Sequence, residues 1–267
     1  MIVELSPDHV YRRTDAVNQS TLKNFSDCPA AVLLAETTKS VPSKSQVLGL
    51  LTESYVFGTR FLYTKSPFKD FRTNEAKAWR DSVLDAGQVI VTDEQLADAQ
   101  AMAEAVKSYA PAASLLRRGA PSTAVYRHDP ETGLRLKGLL DWQTEETLVN
   151  GKPIIVDLKT AADPSPRGFA KAVAEWRYDV QDAWYTDLWR EETEEDRQFV
   201  FIVVGNEAPF AVGVYILRDE QRAAAREQAR VWLRKYAEHK ASGVWPASYS
   251  QEIEFLDIAP WTREVRL

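Results

Sequence analysis

Residues 154–160 read IIVDLKT, a β-branched run interrupted by an acid and a lysine two positions apart. Side chains i and i+2 leave the same face of a strand, so Asp157 and Lys159 are aimed at one spot. A run this apolar has the pattern of a strand covered on both faces. A carboxylate placed there needs a counter-charge, hydrogen bonds or a metal ion. Asp-x-Lys is also a common solvated pair on exposed sheet faces, where it contributes little. The preceding segment, LRLKGLLDW, reads as a neighbouring strand with a second acid, Asp141, and this favours the buried site. Two acids on adjacent strands can hold one divalent cation.

That pairing carries a geometric demand. Asn150 and Gly151 lie between the strands, and Asn-Gly is the strongest short signal for a two-residue hairpin. Such a turn sets Asp157 opposite Thr144 and sends Asp141 to the other face of the sheet. A shared ion site therefore predicts an odd-length loop or a β-bulge in this hairpin.

The rest of the chain alternates helical and strand patterns. Residues 20–38 suit two short helices or one kinked at Pro29. Residues 43–62 read as a helix apolar on most sides, with Glu53 as the exception. A helix over 74–87 ends at Gly87, a short strand follows, and a long helix from Asp93 is closed by Pro111. Tyr63 to Arg72 reads as an irregular surface loop. A strand at 122–129 precedes the hairpin, and helices near 168–176 and 178–190 follow it. RQFVFIVVGNE and FAVGVYILRD read as an antiparallel strand pair. The helix from Asp219 begins with acids and ends with bases before Gly243, matching its macrodipole. In the tail, Trp245 and Trp261 are expected to anchor onto the body. No repeat or Gly/Ser linker divides the chain, so one α/β domain over 1–267 is expected. Its parts are a mainly helical 1–120, a catalytic sheet with helices over 121–220, and a C-terminal helix and tail over 221–267.

Composition narrows the function classes. With 45% hydrophobic residues, eight Trp and ten Tyr in 267 residues, the chain can build a substantial core. It has no apolar run of membrane-spanning length, and its first residues lack a secretory-signal layout, so a cytoplasmic location and no membrane partner are expected. The single cysteine, Cys28, excludes an internal disulfide and a four-cysteine iron–sulfur cluster. His9, His128 and His239 sit in no motif, which leaves a zinc or triad hydrolase unsupported. A net charge of −6 is not that of a protein coated in basic surface. It is compatible with a nuclease, which spends acids on metals and confines Lys and Arg to a groove.

Phosphodiester hydrolysis needs an activated water, a counter-charge for the phosphate and help for the leaving oxygen, most of which Mg²⁺ supplies. Mg²⁺ keeps several waters, so Asp141, Asp157 and the Leu158 carbonyl, completed by Glu53, suffice as protein ligands. Lys159 would orient the water or stabilise charge on the phosphate. Without metal, its alternative role is a salt bridge to Asp157. Gln181 and Tyr185 share one helix face. Among basic residues, Lys137 on the Asp141 strand, with Arg167 and Lys171 just after the Lys159 strand, are best placed to meet DNA.

An acid on the leading helix, an acid on the second strand and acid-x-Lys on the third, in that order, resembles the PD-(D/E)xK nuclease superfamily. More narrowly, the chain looks like the RecE-type, exonuclease VIII-like phage and prophage recombination nucleases. STLKNFSDCPAAV resembles their Ser-x-x-Leu-Lys…Cys/Ser-Pro segment, and LGLLTESYVF their Gly-x-x-x-His-x-x-x-Leu helix. KGLLDW and IIVDLKTA resemble the two metal-binding strands, YDVQDAWYTD the Gln-x-x-x-Tyr helix, and WPASYS…IAPW the closing Trp-Pro…Pro-Trp pattern. Glu53 departs from the group, standing where His is usual, although other branches of the superfamily use Glu there.

The resemblance implies a restriction-endonuclease-like core, a mixed central sheet flanked by helices with an N-terminal helical lobe. It implies an exonuclease dependent on Mg²⁺, or Mn²⁺, without an iron–sulfur cluster. The enzyme would resect linear duplex ends 5′ to 3′ for single-strand-annealing recombination, beside an annealing protein and as a homo-oligomeric ring. Asp141, Asp157, Lys159 and Gln181 would be catalytic; Glu53, Asp141, Asp157 and Leu158 would hold metal. Tyr185 would join Lys137, Arg167 and Lys171 on DNA, or Gln181 would steady Lys159. An endonuclease of the same fold, or a non-catalytic DNA-binding or assembly module, are the alternatives.

Overall fold

Capping residues written into the sequence end most of the helices. The computed structural model describes residues 1–4, 6, 8–38, 41–148, 150–248, 253 and 255. In chain order the elements are β1 (Ile2–Val3), α1 (Asp8–Arg13), α2 (Gln19–Asp27), α3 (Pro29–Thr37), α4 (Lys44–Phe57), β2 (Thr64–Lys65), α5 (Asn74–Asp85), β3 (Ile90–Val91) and α6 (Asp93–Ser108). Then come α7 (Ala110–Leu115), β4 (Ala120–His128), β5 (Arg135–Thr147), β6 (Pro153–Ala161), α8 (Pro166–Trp176), α9 (Tyr178–Thr193), β7 (Gln198–Gly205), β8 (Val212–Tyr215) and α10 (Asp219–Ser242).

Ser43 with Gln46, and Thr92 with Gln95, form capping boxes at the starts of α4 and α6. Gly58, at φ +68°, stops α4 short of the expected residue 62. Pro29 splits the first helical stretch in two as expected. Pro111 does not close α6; it sits in the first turn of α7, where a missing N–H leaves no bond unmade. Within the expected loop of 63–72, Thr64 and Lys65 form a parallel pair with β3.

The main sheet has the order β1-β4-β5-β6-β7-β8, antiparallel throughout except for β6 beside β7. That parallel pair needs a crossover, which α8 and α9 provide. Both strands are covered on both faces. Ile155, Phe199, Phe201 and Val203 pack with Leu22, Phe25, Trp184, Leu188 and Leu233 of α2, α9 and α10. Ile154, Val156, Leu158, Val200 and Ile202 pack with Val56, Phe57, Met102 and Val106 of α4 and α6. This double burial is why QFVFIVV has no polar alternation. Truncating Phe199 or Phe201, each fully buried, would cost about 3–5 kcal/mol.

The β5–β6 hairpin is not a two-residue turn. Its ladder pairs Thr147 with Pro153, then jumps to Thr144 with Ile154, leaving Glu145 and Glu146 as a bulge. Arg197 pins this bulge, donating to the Gln143 side chain at 3.0 Å, the Thr144 carbonyl at 3.1 Å and Glu145 at 2.6 Å. Its guanidinium lies 4.2 Å from the Trp189 ring centroid.

The pleat also reverses once within β4 and β5. Leu136 and Leu140 join the α9 side of the sheet, yet Trp142 stacks on Phe57 on the α4 side, with ring centroids 5.7 Å apart. Residues two apart should share a face, so the phase changes around Asp141. The matching irregularity in β4 is Ser122, at φ +50°, between the ladder pairs Pro121–Trp142 and Thr123–Leu140.

Trp245 anchors the chain after α10, packing on Phe25, Tyr236 and His239. Trp261 lies outside the described residues. Among the described residues, no helix is long and apolar enough to cross a membrane.

Candidate active site

The last ladder pair of β5 with β6 is Trp142–Val156. One residue further, the same register sets Asp141 across from Asp157. The backbones separate there, and the Asp141 side chain takes the ladder's place, its Oδ2 accepting the Leu158 N–H at 3.0 Å. In an extended strand the N–H and C=O of one residue point to the same edge. The Leu158 carbonyl is thus on the edge that faces Asp141.

Asp157 is 1% exposed. Gln181 of α9 donates from Nε2 to its Oδ1 at 2.5 Å. The Lys159 ammonium is ion-paired with its Oδ2, which makes no hydrogen bond of regular geometry. The same ammonium lies 4.7 Å from the ring centroid of Tyr178, the first residue of α9. Tyr178 in turn stacks on Phe169 of α8. The Lys159 ammonium therefore has a carboxylate on one side and an aromatic face on another.

Charge in this cluster is unbalanced. Burial raises the pKa of Asp141 well above the usual carboxylate range, and the nearby carboxylates of Asp157 and Glu53 raise it further. Burial also raises Asp157, against the pull of Lys159 and Gln181. Burial works against the Lys159 ammonium, but Asp157 and Asp141 together outweigh it, so the lysine stays charged more firmly than usual. Around Asp141 the Asp157 and Glu53 carboxylates make its proton loss harder and the Lys159 ammonium makes it easier.

Glu53 and Asp141 share the wall of a cleft of about 1230 Å³, which also includes Arg12, Arg60, Ser122 and Tyr185. Among the described residues, no group of three or more His, Cys, Asp or Glu is placed to hold a metal ion. The donor set fits a hard divalent cation: oxygen ligands only, excess negative charge, and a buried Asp157 oxygen short of hydrogen bonds.

The site residues expected from sequence fall into two groups. Glu53, Asp141, Asp157, Leu158, Lys159, Gln181 and Tyr185 are brought together. Gln181 bonds to Asp157 rather than to Lys159. Tyr185 lies over Gly138, where a Cβ would come within 3.0 Å of Leu188 and 3.1 Å of the Tyr185 ring, a tight fit that favours glycine in KGLLDW. Burial raises the Tyr185 hydroxyl well above its ordinary pKa, with Tyr11 and the two aspartates adding to it.

The other group is placed differently. Lys137, 5% exposed, donates to the carbonyls of Tyr11 at 3.0 Å and Thr14 at 2.8 Å. Its ammonium ties the N-terminal segment to β5 where the stretch around α1 folds over it, and Lys137 also lines the cleft with Glu53 and Asp141. Arg167 and Lys171 are exposed on α8 and do not line the cleft. Arg12 and Tyr178 were not anticipated; Tyr178 was legible only as lying three residues before Gln181, on the same helix face.

Residues 18–258 match a family described as a PDDEXK-like domain of unknown function (DUF3799). Among solved structures, the chain is similar to a crystal structure named "Putative exonuclease" from Eubacterium rectale. The TM-score is 0.64 at 16% identity, covering 96% of this chain and 97% of that one, a likeness of fold. The structure of SSO0001, with a TM-score of 0.29 and 14% identity over 84% of this chain and 93% of that one, is too distant to weigh. A comparison with curated proteins gives no match. With the acid pair, the Asp-x-Lys strand and this matched span in one fold, the chain belongs to the PDDEXK-like family and to the PD-(D/E)xK superfamily.

Proposed function

We propose that the chain is a divalent-metal-dependent deoxyribonuclease that resects the ends of linear duplex DNA, in the manner of the RecE-type enzymes it resembles. The observation that carries this reading is the shifted hairpin register, which brings Asp141 level with Asp157 and Lys159. By the same resemblance the direction is 5′ to 3′, the product strand passes to an annealing protein, and the working form is a ring of identical subunits. The name carried by the Eubacterium rectale neighbour points the same way.

Asp141, Asp157, Glu53 and the Leu158 carbonyl would hold Mg²⁺, or Mn²⁺ in its place. When bound, the cation supplies charge neutralisation at the phosphate and an activated water. The protein's own groups do the rest. Gln181 fixes the rotamer of Asp157 through a short hydrogen bond. Lys159 sits where it can donate to the attacking water or to a phosphate oxygen, and its charge is secured by two neighbouring acids. The Tyr178 ring limits where that ammonium can go. Arg12, Arg60 and Lys137 bring positive charge to a cleft whose lining acids are Glu53 and Asp141.

The test is degradation of end-labelled linear and closed circular duplex DNA, with Mg²⁺ or EDTA, by wild type and Lys159→Ala. Metal-dependent loss of linear DNA alone, absent in the variant, is expected. Cleavage of circles would make the protein an endonuclease. A folded protein that cuts neither would be a binding module.

A further inference from the structure

Among the described non-glycine residues with positive φ, Arg177 and Glu194 lie at helix ends and Phe210 lies in the β7–β8 connection. Such positions adopt this conformation readily. Ser122, at φ +50°, has it inside strand β4. Strand interiors disfavour this backbone for any residue with a Cβ. Outliers of this kind cluster at ligand sites.

The backbone has a reason to bend there. Ser122 falls opposite Asp141, between the last regular pairs on either side, where the pleat of both strands changes phase. Its carbonyl turns to accept the N–H of Ser6 at 2.8 Å. That need is met by any residue tolerant of positive φ, and glycine meets it with least strain. The backbone therefore does not explain the hydroxyl. Ser122 lines the cleft beside Asp141 and Glu53, and its hydroxyl has no hydrogen-bond partner among the described residues.

We infer that Ser122 is a substrate-contacting residue, whose hydroxyl donates to a non-bridging oxygen of a nucleic-acid phosphate seated against Asp141. Paired strands lie about 4.8 Å apart, so Ser122 on β4 stands beside Asp141 on β5, with Asp157 across from Asp141 on β6. A phosphate at Asp141 is then flanked by the Ser122 hydroxyl on the β4 side and by Lys159 on the β6 side. The ligand class is the phosphodiester of a DNA strand, and the inference rests on the nuclease reading above.

The two effects of Ser122 separate in Ser122→Gly, which relieves the backbone and removes the hydroxyl, beside Ser122→Ala, which removes the hydroxyl alone. Three quantities are measured: Tm, the Kd for linear duplex DNA by fluorescence anisotropy with Ca²⁺ in place of Mg²⁺, and kcat and KM with Mg²⁺. Ser122→Gly is expected to gain about 2–4 °C in Tm. Its Kd and KM are expected to rise about tenfold, the loss of one hydrogen bond to a charged group, with kcat within about twofold. Ser122→Ala is expected to show the same loss of affinity without the gain in Tm. A glycine variant that binds and cleaves like active wild type would overturn the role of Ser122 and leave the nuclease reading standing. Wild type that neither binds nor cleaves DNA would overturn both.

Discussion

Helix α9 faces two carboxylate clusters through consecutive residues. Gln181 points to Asp157 beside Asp141; Asp182, the next residue, points to Arg222 of α10 at 2.6 Å. On the α10 side, acids and bases come in matched pairs. Arginines 222, 226, 230 and 234 recur every fourth residue, on one face of the helix. They meet Asp182, Asp187, Asp129 and Glu131 at 2.6–3.0 Å. Burial opposes the charge on Asp129, yet hydrogen bonds from Thr132 and Arg230 overcome it and its pKa is lowered. In the cleft, Asp141 is raised well above its ordinary value because burial is joined by two further acids and only one ammonium. On the α10 side each of these carboxylates thus meets a guanidinium directly, whereas Asp141 is crowded by two further carboxylates beside one ammonium.

Four measurements can break or sharpen that contrast. The largest effect is expected from Lys159→Ala, a loss of roughly 10³-fold in nuclease kcat per folded molecule. Residual activity near wild type would remove Lys159 from the chemistry. Next, Arg222→Ala strands a buried carboxylate and should cost about 3 kcal/mol in urea unfolding, leaving kcat per folded molecule unchanged. If the cleft lost activity as well, the two clusters would be coupled through α9.

The third concerns pH. Burial raises Asp182 to about 6 despite Arg222, from an ordinary 3.8. A carboxyl whose folded pKa is raised adds stability fully present below pH 4 and lost as pH rises through 6. That amounts to roughly 3 kcal/mol at 1.36 kcal/mol per unit. The pH 4 to 7 decline in unfolding free energy should therefore be shallower in Asp182→Asn than in wild type; parallel curves would refute the assignment. The smallest effect is expected from Asp157→Asn in EDTA, where relief of repulsion should leave Tm equal to wild type or a few degrees higher. Mg²⁺ should then raise the Tm of wild type but not of the variant. A large loss of stability in EDTA would instead make Asp157 structural.

Much of the site was readable because strand periodicity is local. Asp157 and Lys159 had to share a face, and the β-branched residues around them had to be buried. The requirement for a bulge followed from Asp141 and the Asn-Gly turn alone, and the structure meets it at Glu145 and Glu146. The helix boundaries at Ser43, Thr92 and Gly243 were equally local, since caps act within one turn. The burial of Lys137 was not legible because its partners, Tyr11 and Thr14, are more than 120 residues away. Nothing near Lys137 signals that α1 covers it.

The sequence by itself determined that an acid and a lysine stand together in a buried strand, with a second acid one strand away and family motifs in order around them. Only the tertiary structure decided that those acids meet. The register rests on Arg197, which grips Gln143, Thr144 and Glu145 across some fifty residues of chain. The cleft rests on the reversal of pleat at Ser122 and Asp141 and on the approach of Glu53 from α4. Each of these is a contact between distant segments, whose geometry is set by how whole layers pack rather than by the period of any one of them.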